Sequence, residues 1–111
     1  MQNPGIGSTF PSGGTVSTKT PLTASTPTFA TVGVASAQAV ASNSSRKGLV
    51  LVNTSSNTIS LGIGSNPAVL NSGITLVPFG VYVADEYTYV TSAINAIASA
   101  ASSNLGIQEY T

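Results

Sequence analysis

From Thr28 onwards the apolar and polar positions repeat at the short period of β-strands. Thr28 to Ala41 alternates loosely, with Val32 and Val34 on one face. The run Leu49-Val50-Leu51-Val52, within Gly48 to Asn53, predicts a strand buried on both faces. Thr58 to Ile63 alternates cleanly: Ile59, Leu61 and Ile63 point one way, and Thr58, Ser60 and Gly62 the other. That predicts a strand with one wet face. Between the two lies a polar turn, Asn53-Thr54-Ser55-Ser56-Asn57, so a hairpin is the simplest pairing. Residues 65–73 read as a loop, with Val69 and Leu70 folding over a sheet edge.

Further strands are predicted at Ile74 to Val77, Val81 to Ala84 and Tyr87 to Val90, with a turn at Pro78-Phe79-Gly80. Phe79, Tyr82, Tyr87 and Tyr89 cluster here and should supply core bulk or an interface. Ser92 to Ala101 fits both a helix, by its alanines, and alternation at Ile94, Ala96 and Ala98. Strands on either side favour β. Leu105 to Tyr110 is the last strand, with Leu105 and Ile107 on one face. About seven or eight short strands at this spacing mean a sandwich or small barrel. The fold class is read as all-β, a single antiparallel β-sandwich (jelly-roll-like) over residues 28–111; periodicity does not write strand order, so a partly open barrel stays the alternative.

Residues 1–27 differ. Pro4, Pro11, Pro21 and Pro27 alternate with glycine, serine and threonine, which blocks helices and sheet interiors. The segment reads as a linker, or as an extended N-terminal arm that orders on a partner. In the arm reading Ile6, Phe10, Val16 and Leu22 are isolated apolar pegs for a neighbouring surface.

Three basic and three acidic residues leave no net charge, and charged residues are only 5% of the chain, against about 25% in ordinary proteins. The 31 serines and threonines supply the polar surface instead. Such a surface carries little field, so nucleic acid and anionic lipid are not expected partners. Near-zero charge favours association with copies of itself or with another protein. No apolar run is long enough to span a bilayer, and Met1 to Gly5 lacks the character of a secretory signal. A soluble protein made in a cytoplasm is expected.

The chain has no histidine and no cysteine. Histidine-based acid–base chemistry, the usual nucleophilic triads and thiolate metal sites are excluded. Asp85 and Glu86 are adjacent, but neighbours in a strand face opposite ways and would not share a site. Glu109 is expected to point outward from the last strand. Three dispersed acids do not make a calcium site, which needs roughly six oxygen ligands. No enzyme activity and no cofactor is expected. Arg46-Lys47 is the one basic pair: a contact for an acidic partner, or a solvated loop at the start of a strand. The glycines of Gly62-Ile63-Gly64 permit a bulge or a close backbone approach. The tyrosines suit a core or interface, and in a second reading stack on host surface glycans.

The series NSSRKGLVLVN (residues 43–53), ISLGIG (59–64), GITLVPFGVY (73–82), INAIAS (94–99) and LGIQEY (105–110) resembles, in this order, a family of small β-rich bacteriophage virion proteins. The resemblance covers residues 41–111. It implies a β-sandwich serving as a head decoration, cement or fibre component, often trimeric. The implied partners are the major capsid protein and further copies of the chain, and the implied location is the capsid exterior. The N-terminal arm has no counterpart in the resemblance.

Overall fold

The computed structural model describes residues 20–111. They form eight strands: β1 (Thr28–Val32), β2 (Ala37–Val40), β3 (Gly48–Asn53), β4 (Ile59–Gly62), β5 (Ile74–Leu76), β6 (Val81–Ala84), β7 (Ile94–Ala98) and β8 (Ser103–Tyr110). Sheet A has the order β1-β8-β3-β6 and sheet B the order β2-β7-β4-β5. Every pairing is antiparallel. The pairs β1·β8, β2·β7, β3·β6 and β4·β5 are those of one long antiparallel hairpin rolled over on itself. This is the eight-stranded jelly roll, with two Greek keys. Of the sandwich and the small barrel that the strand spacing allowed, the sandwich is the fold observed, and no α-helix occurs among the described residues.

The core lies between the sheets. Leu49 and Leu51 of β3, Leu105 of β8, Ile59 and Leu61 of β4 and Ile94 of β7 are buried there. Alternation puts them inward, and hydrophobic burial of about 25 cal/mol per Å² of apolar surface holds the two sheets together. In β7 Ile94, Ala96 and Ala98 all face this core. Their period of two resolves the ambiguous alanine-rich segment as a strand.

The structure departs from the sequence reading at several places. β3 and β4 are not a hairpin: they lie in different sheets. Buried Asn53 makes the crossing, donating from Nδ2 to the carbonyls of Asn57 (2.6 Å) and Leu76 (2.8 Å). Its Oδ1 accepts from the N–H (3.0 Å) and hydroxyl (2.6 Å) of Ser55. Turn composition alone does not distinguish this arch from a hairpin. Tyr87 to Val90 is a loop, because Asp85 organises a turn and the Val90 carbonyl is taken by a side chain.

Residues 20–27, assigned to the arm by composition, are joined to sheet A. Thr23 and Thr111 exchange backbone hydrogen bonds of 2.8 and 2.9 Å, and the Ser25 N–H donates to Glu109 O at 2.8 Å. Gln108 Nε2 donates to the Ser25 carbonyl.

Candidate interaction surface

Arg46 was expected as a partner contact or a solvated residue, and it is neither. Its exposure is 0%, and all its donors are spent within the chain. Nε and Nη2 donate to Glu109 Oε2 at 2.9 and 2.8 Å. Nη2 also donates to Ala41 O at 2.6 Å, and Nη1 to the carbonyls of Val90 (2.7 Å) and Ser92 (3.0 Å). Those bonds match the five N–H groups of a guanidinium. Glu109 accordingly points inward, a correction to its expected outward position, and accepts a further bond from Asn43 Nδ2 at 3.2 Å. The pair closes one end of the sandwich, tying β8 to the segments after β2 and before β7. Such a fully bonded ion is a structural staple, since an unmatched buried charge costs several kcal/mol. Lys47 beside it is exposed.

Asp85 is exposed at the end of β6. The Tyr87 N–H (2.9 Å) and then the Thr88 hydroxyl (3.1 Å), both donating to Oδ1, hold its carboxyl below its usual pKa. Among the described residues no three histidine, cysteine, aspartate or glutamate side chains gather to hold a metal ion. Nor is any helix there long and apolar enough to cross a membrane.

The outer faces of the two sheets differ in chemistry and cover. On sheet B, Ser60 and Gly62 were expected to be wet, yet both are buried. The loop of residues 63–73 crosses over them. Ser60 Oγ bonds Thr75 Oγ1 (2.9 Å) and accepts the Asn71 N–H (2.8 Å). Asn95 Nδ2 donates to Asn66 O, and the Ala68 N–H donates to Ser36 Oγ, both at 2.8 Å. Ala68 is the buried residue of this loop, whereas Val69 is exposed and Leu70 half-buried, a correction to the expected edge contact. Gly62 makes the approach possible: a Cβ there would stand 2.1 Å from the Asn66 carbonyl oxygen.

Among the described residues sheet A has no such cover, apart from Pro27 and the Ser25 carbonyl at its margin. Its register aligns Phe29, Gly106, Val52 and Val81 in one outward row across all four strands. Gln108, Val50 and Val83 form the next row. Phe29 is 67% and Val83 62% exposed. Val50 and Val52 were expected to be buried on a second face and are only half-buried. No charged side chain points outward from these four strands, because Glu109 is turned to Arg46. Between Pro27 and the two valines lies a shallow cleft of about 340 Å³, with Gly106 in its wall.

Beside β6 stands a single aromatic knob. Val77-Pro78-Phe79-Gly80 is a tight turn in which the Gly80 N–H donates to Val77 O at 2.7 Å. Phe79 holds the third position at φ +64°, where a type II turn favours glycine. Its N–H is pinned to Asn53 O at 2.7 Å, and the residue is 78% exposed. Of the four aromatics expected in a core or interface, Tyr82 and Tyr89 pack on the core, while Phe79 and Tyr87 face solvent.

No protein-family model matches the chain, and no curated protein or solved structure matches it either. Of the residues read from the sequence as contacts, Ile6, Phe10 and Val16 lie outside the described residues, and Leu22 is half-buried. The structure does not gather Leu22, Arg46 and Lys47 into one site. Phe29, Val81 and Val83 were not singled out in the sequence. Their signal was the apolar character of both faces of β3, which implied covering material that the described residues do not supply.

Proposed function

We propose that the chain is a non-enzymatic structural protein of a bacteriophage virion, a trimeric decoration or cement protein on the capsid exterior. The observation that carries this reading is the open, charge-free, apolar face of sheet A, which suits a permanent protein contact. The ordered motif series from Ser45 to Tyr110 supports it, as does a residue inventory without histidine or cysteine. The jelly roll is compatible with it, being an architecture that viral capsid and lectin domains share, although a fold alone does not carry a function. The partner is the major capsid protein, with the apolar residues Ile6, Phe10 and Val16 supplying further contacts.

The test is quantitative mass spectrometry of purified virions against the major capsid protein. Hundreds of copies per particle are expected, and complete absence would overturn the reading. A few tens would favour a fibre or tail module that binds host glycans. One observation favours that second reading: Tyr87, 87% exposed, stands two residues from the Asp85 carboxylate. A sugar ring stacks on such an aromatic face while a carboxylate accepts its hydroxyls.

A further inference from the structure

We propose that the open face of sheet A is closed by a second copy of this chain, whose Phe79 seats in the cleft beside Gly106. This self-contact rests on the reading of sheet A as a docking face, but not on where the assembly resides.

Three observations select a second copy as the occupant. The first is charge. In a contact between copies residue i meets residue j and j meets i, so a face without charge can close on itself without burying an unmatched ion. The outward positions of sheet A carry none, and the whole chain is neutral.

The second is area. From their fractional exposures the outward residues of sheet A present on the order of 600 Å². Val77 and Phe79 beside them bring this to roughly the 800 Å² per partner of a stable protein interface.

The third is that the chain carries both halves of a knob and a hole. The hole lies between Pro27 on one side and Val50 and Val52 on the other. It exists because residue 106 has no side chain. A Cβ at Gly106 would meet nothing nearer than the Val52 carbonyl oxygen at 3.7 Å, and the backbone there is not left-handed. Neither space nor conformation requires this glycine in the isolated chain, so what it keeps open is the cleft. The knob is Phe79. A left-handed conformation is uncommon for a bulky residue, and with the residue 78% exposed the ring gains little burial in return. Glycine would serve the turn better. The turn presents a rigid, apolar ring, which loses little conformational entropy when it is buried.

The experiment is sedimentation velocity of the purified full-length chain over about 1–100 μM, the range in which weak association becomes measurable. The unmodified chain is expected to associate. Phe79→Gly removes the knob and relieves its backbone. Gly106→Leu fills the hole from a position that accepts a side chain. Each is expected to weaken association at least about tenfold, as loss of an interface anchor does, while thermal unfolding shows the fold intact. Gln38→Lys, on an edge strand of sheet B, is expected to leave association unchanged. A chain that stays monomeric throughout this range would overturn the proposal, as would Phe79→Gly and Gly106→Leu chains that associate like the original. A self-associating chain that is absent from virions would leave the self-contact standing and overturn the virion reading. A monomeric chain abundant on particles would do the reverse.

Discussion

The two sheets have opposite outer faces. Sheet B presents Ser60, Thr75 and Asn95 outward and is covered by the chain's own loop 63–73. Sheet A presents Phe29, Val50, Val52, Val81 and Val83 and is left open by the described residues. The difference follows from what a covering loop needs. Irregular backbone brings N–H and C=O groups that must find partners once buried. The hydroxyls and amide of sheet B supply those partners. Apart from Gln108, which holds the Ser25 carbonyl at the margin, the valines and phenylalanine of sheet A offer none, so a loop laid there would bury unsatisfied groups at a cost of about 1–3 kcal/mol each. Side chains of another molecule, which bring apolar surface without backbone, suit sheet A instead.

The largest effect is expected where the two sheets are joined. Arg46→Ala leaves half-buried Glu109 unpaired beside three carbonyls without their donor. Breaking such a pair should lower stability by about 3–5 kcal/mol in denaturant titration. A loss under about 1 kcal/mol would mean that the end of the sandwich is held by packing alone.

The next comparison sets one glycine against another. Gly62→Val would drive a side chain into the Asn66 carbonyl and lift the loop from sheet B. A loss of about 2–4 kcal/mol is expected, as for overpacked positions with displaced backbone. Gly106→Val on sheet A meets open space within the chain and, at concentrations low enough to keep the chain unassociated, should be neutral or stabilising by about 0.5–1 kcal/mol. Equal losses at both glycines would abolish the distinction between a closed and an open face.

The smallest effect belongs to Asp85, at the rim of sheet A. Its folded pKa lies below the ordinary aspartate value, so the turn it makes is strengthened while the carboxylate is ionised. That contribution is present above the unfolded pKa and is lost as pH falls through the folded value. Asp85→Asn should remove this component of the acid dependence of unfolding, lowering stability slightly near neutrality and converging with the unmodified chain in acid. An acid profile identical to that of the unmodified chain would show that the turn does not depend on the charge.

Some of this was legible without coordinates. β3 and β6 occur at the predicted residues, because alternation within a strand is local. The core side of β4 was legible for the same reason. Its outer side was not. Ser60 and Gly62 look wet by composition, and only the return of a loop some ten residues later buries them. Arg46 and Glu109 are separated by 63 positions, and no local pattern marks them as partners.

The sequence by itself determined an all-β chain, the inward face of most strands and the absence of histidine and thiol chemistry. These are consequences of side-chain type and a period of two. Only the tertiary structure decided which sheet each strand joins, which face is closed and which side chain becomes a staple. Those outcomes rest on contacts between distant segments, where the hydrogen-bonding needs of a loop and the chemistry of a sheet face meet.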